Sequence, residues 1–539
     1  MKLIEGDGPE MEIDVQLTPQ ESVPQTIKGN GLTFSRLPIE REGFQFGSEG
    51  LPEVPKLHRW VVVNANAEYR LEVVPGKYRV YRKIKLYPAQ PDAFENEVAP
   101  FKMSPGAYLK NTWYGSRRAI LGKKAKLGEL TLLPISFYPA SYNPRKRELR
   151  VYETIKVRLI HLNPELNEEP TEISKFAAEQ AAQLTLNGDR LDTKRIRVRA
   201  TKKMIVFHGP ELRRSGEELA EIHRAQGTDV SLVEVPQETK AKEFQQMIKE
   251  EYQKQKMDAV LIFGDETAIP LMDSGGQLGD FYYGLVSGTD HISDVALGRL
   301  PAKNESQGKV IVNKIRKYQQ LASEGYTNKR VMLVAHAEEY PGKYTKNMEE
   351  VRKSPNPLNL EFNTQYGGEK AKNSTVLEEA EKGYAIINYR GHGSASTWSG
   401  WGSDGTSFST AQIRALPEED RSLSFIFNVA CTNGAIQNSS AALVERELFP
   451  KEDQETFQGA VGTFGATAPS LTEVNHRFNF SLFEYLQRTN DISIGNVYTL
   501  ANNKLTKDNG GSSTSNTRMY VLYSDPLLSP WVNQGKNIQ

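Results

Sequence analysis

The chain has one cysteine, Cys431, which follows the apolar run Phe425-Ile-Phe-Asn-Val-Ala. A glycine-flanked histidine, His392, follows a second apolar run, Ile386-Ile-Asn-Tyr, within Arg390-Gly-His-Gly-Ser-Ala-Ser-Thr-Trp. A thiol becomes a strong nucleophile when an adjacent imidazole takes its proton, and the thiolate then attacks carbonyl carbon. Glycines beside the histidine leave its ring unobstructed and let a backbone N–H approach a developing oxyanion. Residue type alone leaves both residues open to plainer readings. A cysteine after an apolar strand is often a small buried hydrophobe, and Gly-His-Gly is often a turn.

Two elements must bring these residues together. The interval between them suits one crossover carrying a helix, for which Ser409 to Glu419 has the pattern, so the two strands can be neighbours with both residues at the same end. From about residue 202 the chain alternates short apolar strands (Lys203-Met-Ile-Val-Phe-His, Ala259-Val-Leu-Ile-Phe, Arg330-Val-Met-Leu-Val-Ala) with helix-like segments such as Glu211–Gln226 and Glu243–Gln255. That alternation predicts a mostly parallel sheet with helices on both faces and ligands beyond the carboxyl ends of its strands. Residues 55–162 instead alternate apolar with polar, as in Tyr78 to Tyr87 and Leu149 to Ile160, with turn signals at Pro75-Gly76 and Asn143-Pro144. Period-two alternation predicts antiparallel strands, here a β-sandwich. The predicted division is a β domain over 1–162, a linker over 163–200 ending in a basic run, and an α/β domain over 201–539.

Composition bounds the function. With 67 Lys+Arg against 67 Asp+Glu there is no global field for nucleic acid, and one cysteine excludes a disulfide framework. No run reaches the roughly 18 apolar residues of a membrane span. The N-terminal sequence turns acidic within five residues and lacks the apolar core of a secretory signal. His336 has no cysteine or second histidine at metal spacing, so a zinc site is not expected, and no EF-hand pattern occurs.

The stretches Tyr389-Arg-Gly-His-Gly-Ser followed by Trp398, and Asn428-Val-Ala-Cys-Thr-Asn-Gly, resemble the two catalytic motifs of the gingipain family of cysteine peptidases, of the caspase and legumain clan. The resemblance continues in Gly264-Asp-Glu-Thr-Ala-Ile-Pro, Ser293-Asp-Val-Ala-Leu-Gly-Arg-Leu-Pro and Tyr523-Ser-Asp-Pro-Leu-Leu, over about 200–530. Leu133-Pro-Ile-Ser-Phe-Tyr-Pro-Ala-Ser-Tyr-Asn-Pro is similar to the gingipain propeptide. The resemblance implies a caspase-like catalytic domain made as a zymogen, its own propeptide acting as an intramolecular inhibitor and peptides or proteins as substrates. It implies Cys431 as nucleophile, His392 as general base and acid, and the N–H groups of Gly393 and Cys431 as oxyanion hole. Glu338, in Ala335-His-Ala-Glu, matches the acid that orients the histidine; a solvated strand-end charge is its plainer reading. No cofactor is implied, structural calcium is admitted, and the location implied is secreted or cell surface.

The resemblance also suggests a basic P1 side chain received by an acid after Glu338, here Glu349 or Glu350, in a pocket completed by Trp398 and by Thr467 and Ser470 of an uncharged wall. Lys194, Arg195, Arg197 and Arg199 would then offer a self-cleavage site in the linker, although charge runs are usually just solvated. Two rivals stand beside the peptidase. One is a sortase-like transpeptidase of type IX secretion, which would pass its acyl group to an amine. The other is a non-catalytic binding module on the same scaffold.

Overall fold

The computed structural model describes the chain except residues 1, 5–9, 40–43, 46, 75, 96, 164–170, 193–194, 339–342, 439–440, 489–491 and 534–539. The N-terminal half consists of antiparallel strands. One sheet places Glu10–Gln16 and Tyr69–Val74 on either side of Thr154–His161. A second centres on Leu130–Phe137 against Lys56–Val63, and a third on Glu148–Tyr152 between Ala140–Asn143 and Tyr78–Arg82. Alternate residues of these strands, among them Ile13, Val61, Leu133, Ile135, Leu149 and Val157, share one core. Two long strands expected from sequence are interrupted. Lys83, at φ +63°, ends the strand begun at Tyr78, and the run from Leu149 breaks at Glu153 so that its halves serve different sheets.

The second half is built on two larger sheets, beside two small ones of two and three short strands among the described residues. In the first, β1 (Lys203–His208) lies between β2 (Asp229–Glu234) and β3 (Ala259–Phe263), with β4 (Ala296–Leu300) beyond β3, all parallel. β1, β3 and β4 are buried on both faces, and the edge strand β2 is partly exposed. Met204 and Val206 pack with Leu219 and Ala220 of helix Arg213–Ala225, while Ile205 and Phe207 pack with Phe244 and Ile248 of helix Ala241–Gln255. This is why the strands read as continuous apolar runs. The second sheet contains β5 (Arg330–Ala335), β6 (Glu361–Tyr366), β7 (Ile386–Arg390), β8 (Ser424–Val429), β9 (Ala460–Ala466) and β10 (Tyr520–Tyr523). Their spatial order is β6-β5-β7-β8-β9-β10, and only β10 runs antiparallel. The crossover between β7 and β8 carries a shorter helix than expected, Thr410–Arg414, since Pro417 cannot donate within a continuing helix.

The interval expected as a linker is largely built into the fold. Helix α1 (Lys175–Leu184) is capped by Ser174 and buries Phe176, Ala177, Ala181 and Leu184 in the core of the second half. The apolar Ala-rich face that made it read as helical needed a partner, and the second half supplies one. Trp60, Leu130 and Leu132 of the β domain enter that same core. Two further helices, α2 (Lys343–Lys353) and α3 (Thr472–Leu486), flank the carboxyl end of the second sheet, and α4 (Ile494–Asp508) is buried along its whole length. Asp290 and Asp294 accept the N–H groups of Lys126 and Gly128 at 2.7 and 2.8 Å across the two halves. Among the described residues no helix is long and apolar enough to cross a membrane.

Candidate active site

Strands β7 and β8 are parallel neighbours with Arg390 opposite Val429, so the loops that follow them leave the sheet together. They carry His392 and Cys431. The flanking glycines have a steric role: a Cβ at Gly393 would overlap the carbonyl oxygen of Cys431, and one at Gly391 would overlap Tyr389 and His336. Thr432 adopts φ +53°, and the Asn433 N–H donates to the Cys431 carbonyl at 2.7 Å, so the cysteine sits on a tight, strained turn.

Glu338 follows β5, the other neighbour of β7, and its Oε2 lies 2.6 Å from His392 Nε2. The Glu338 N–H donates to His336 Nδ1 at 2.9 Å, and the His336 ring meets that of His392 edge-on at 4.8 Å. Burial lowers the pKa of His336 to about 4, so this ring is neutral packing beside His392. His336, Glu338 and His392 bring three ligand atoms within 4.8 Å of one another. Two of those atoms are already paired, in the Glu338–His392 hydrogen bond.

The Cys431 thiol is only partly exposed and is hydrogen bonded to Ser470, whose N–H lies 3.3 Å and whose Oγ lies 3.5 Å from Sγ. Burial pushes the thiol pKa up. Among the described residues no hydrogen bond joins Cys431 to His392; the contacts of the thiol are with Ser470.

A segment of the β domain fills the cleft between these groups. Phe94 pairs antiparallel with Leu471, the Glu95 N–H donates to the Ser470 carbonyl at 3.2 Å, and the Thr472 N–H donates to the Ala93 carbonyl at 2.9 Å. This is a single antiparallel bridge outside the sheets, with the backbone pairing that an extended peptide uses to dock. The Glu95 side chain, 1% exposed, ends in a fully buried ion pair with Arg390. Asn475 donates to its Oε1 at 2.6 Å, while Tyr344 and Thr472 donate to its Oε2 at 3.0 and 3.1 Å. Ser470 Oγ accepts from Asn475 at 2.8 Å, so a chain of polar contacts joins the thiol to the Glu95 carboxylate. Tyr344 also lies 3.3 Å from His392 Nε2. The Glu95 carbonyl accepts from Lys343 Nζ at 2.7 Å, and the Glu97 N–H donates to the Phe94 carbonyl at 3.0 Å, which turns the chain away after Glu95.

Several expected pocket residues lie elsewhere. Glu349 is bound to Arg352 at 2.7 Å, to Lys353 at 3.0 Å and to the Tyr366 hydroxyl at 3.0 Å, and the Arg352 hydrogen bond leads in holding its pKa down to about 2. Glu350 faces Lys346 at 3.8 Å on the exposed side of α2. Each thus pairs along its own helix at three or four residues, and among the described residues no hydrogen bond or ion pair joins either to Cys431, His392 or Ser470. Trp398 is buried, stacked between Tyr389 and Phe408, with Nε1 donating to Asn428 at 2.7 Å, and it supports the floor of the site. Thr467 donates to the Leu278 carbonyl and is used in packing, whereas Ser470 reaches the thiol. In the basic run Lys194 lies outside the described residues, Arg195 and Arg197 are exposed, and Arg199 is held by Asp258 at 2.6 Å.

Sequence reasoning missed Glu95, Arg390, Tyr344 and Asn475. Arg390 carried a signal, since a charge closing an apolar strand requires a partner when buried. Glu95 stands among other acids in Pro-Asp-Ala-Phe-Glu-Asn-Glu, where nothing local singles it out.

The model of the family described as Peptidase family C25 matches residues 198–531, well over half of the chain, and that of Propeptide_C25 matches residues 18–184. Among curated proteins, Gingipain R1 of Porphyromonas gingivalis is 26% identical over 454 residues, covering 80% of this chain and 44% of the relative. Gingipain R2 of Porphyromonas gingivalis is 25% identical over 435 residues, covering 76% of this chain and 57% of the relative. The chain therefore spans less than two thirds of the length of these relatives. Among solved structures, the Arg-specific cysteine proteinase gingipain R superposes with a TM-score of 0.55 at 18% identity, covering 62% of this chain and 79% of that one. A complex of the pro- and mature domains of Porphyromonas gingivalis RgpB gives a TM-score of 0.53 at 19% identity, covering 61% and 79%. These two likenesses are of fold.

Proposed function

The chain belongs to peptidase family C25 and carries a gingipain-type propeptide, and on that premise we propose that it is the latent precursor of a cysteine endopeptidase. Cys431 is the nucleophile and His392 takes its proton. The thiolate forms a C–S bond with the substrate carbonyl carbon, and the oxyanion is held by the N–H groups of Gly393 and Cys431. His392 then returns the proton to the departing amine as the C–N bond breaks. Water, deprotonated by His392, attacks the thioester, and the thiol leaves with the proton restored. Glu338, at 2.6 Å from the ring, fixes the imidazole and stabilises its charged form. Catalysis in this reading rests on protein groups alone, with calcium confined to a structural role, and the protein acts outside the cell or at its surface.

The observation that carries the latency is the docking of Phe94 and Glu95 along Ser470–Thr472 with the Glu95 side chain enclosed beside Cys431. The segment binds as a substrate would, yet its carbonyl is held by Lys343 and the chain turns away, so the following bond is not offered to the thiol. The test is hydrolysis of a mixed fluorogenic peptide library by full-length protein before and after limited proteolysis, with a Cys431→Ser control. Hydrolysis that appears only after proteolysis and requires Cys431 supports the reading. Equal hydrolysis by the Cys431→Ser variant contradicts it.

A further inference from the structure

The cavity that Glu95 fills is shaped for an acid. Arg390 is 0% exposed, and among the described residues its guanidinium meets, apart from Glu95, the carbonyls of Val429 and Thr472, at 3.2 and 3.1 Å, the His476 ring, and the face of Tyr344. Burial first, and then the charge of Arg390, lowers the pKa of His476 to about 2, so His476 is neutral and offers no countercharge. A guanidinium does not lose its proton in a protein. Once Glu95 leaves, the cavity holds a buried cation without a carboxylate, a state that a substrate acid relieves.

The remaining groups point the same way. Tyr344, Thr472 and Asn475 each donate to the carboxylate. The Asn475 amide is fixed in this orientation, because its Oδ1 already accepts from Asn516 at 2.7 Å and from Tyr520 at 2.9 Å. Its NH2 therefore faces the cavity and cannot be exchanged for an acceptor by rotation. A lysine or arginine entering here meets donors and a fixed positive charge. Glu95 also occupies the position next to Cys431 in strand pairing that a substrate residue before the scissile bond would take.

We propose that this enzyme cleaves after acidic residues, glutamate before aspartate, with Arg390 and Asn475 as the determinants of P1 specificity. The proposal rests on the peptidase reading above and replaces its expected basic P1. It is tested with full-length protein nicked by trypsin at the exposed Arg195 and Arg197, using fluorogenic tetrapeptides that differ only at P1. Any prodomain still bound competes with every peptide alike, so the ranking survives. The expected result is a kcat/KM for Glu roughly 100-fold above Gln and above Arg, as for a site whose buried donors are left unpaired by the wrong side chain. Arg390→Gln is expected to invert the order of Glu and Gln. Should that variant fail to fold, Asn475→Asp is expected to lower kcat/KM for Glu at least about tenfold. Peptide aldehydes with Glu or Arg at P1, competing with iodoacetamide for Cys431, give the ranking without turnover. Cysteine-dependent cleavage after Arg, Lys or apolar residues overturns the acidic pocket and leaves the peptidase standing. No cleavage, with no protection of Cys431 by either aldehyde, overturns both.

Discussion

Glu95 of the β domain and Arg390 of the catalytic domain form an ion pair in which neither side chain is exposed. It is a restraint placed at the one end of the sheet where the two reactive side chains emerge. Removing one partner from such a pair leaves a charge without compensation, at a cost of about 3–5 kcal/mol. Glu95→Ala is therefore expected to lower the unfolding midpoint of the intact chain and to raise peptidase activity without proteolysis, at least about tenfold. Thermal unfolding followed together with peptide hydrolysis checks both. A variant that is less stable but still fully latent would show that Glu95 anchors the domains without closing the site.

The Glu338–His392 hydrogen bond at 2.6 Å is given a positioning role. Glu338→Gln keeps the volume and loses the charge, and is expected to lower kcat by roughly 100-fold or more with a smaller effect on KM, since the imidazolium it stabilises forms during the reaction. The pH–rate profile should move with it. An unchanged kcat would reduce Glu338 to a solvated strand-end acid.

Glu447 is a buried acid supporting the floor of the site, accepting from Asn428 at 2.9 Å and Thr463 at 2.6 Å, and burial raises its pKa to about 8. Because the folded value lies above the ordinary 4.5, the folded chain binds this proton more tightly than the unfolded one. Its contribution to stability is fully present below the unfolded value and is lost as pH rises from about 4.5 to about 8. Glu447→Gln should remove that dependence. Unfolding midpoints of both proteins across this range, compared by difference, are the check, and parallel curves would contradict it.

An enzyme with an acidic pocket does not process its own basic run. Purified full-length protein should remain uncut after Arg195 and Arg197 on prolonged incubation, and should be cut there only when a basic-specific peptidase is added. Terminal sequencing of the fragments decides this. Autonomous cleavage at either arginine in wild type, abolished in Cys431→Ser, would restore the basic preference.

The juxtaposition of His392 and Cys431 was legible because continuous apolar runs mark buried parallel strands and ligands gather at their carboxyl ends. Glu338 was reached through the motif resemblance, and the structure places it on the third adjacent strand. The pairing of the expected pocket acids was also legible in the sequence. Glu349 has Arg352 and Lys353 at helical spacing and is neutralised on its own surface. Glu95 could not be found in this way, since its significance lies in a contact between domains far apart in the chain, and no local pattern records such a contact. Arg390 marked the place where a partner was required without saying which one.

If Cys431 is a peptidase nucleophile kept closed by the Glu95 segment, its thiol becomes reactive only when that segment leaves. The most direct measurement is the rate of Cys431 carboxamidomethylation by iodoacetamide, followed by mass spectrometry in the folded full-length protein before and after nicking and removal of the prodomain. Burial and the raised thiol pKa of the intact chain predict slow alkylation there, and at least about a tenfold acceleration once Glu95 is gone. Equal rates in the two states would show that the Glu95 segment does not close the site over Cys431.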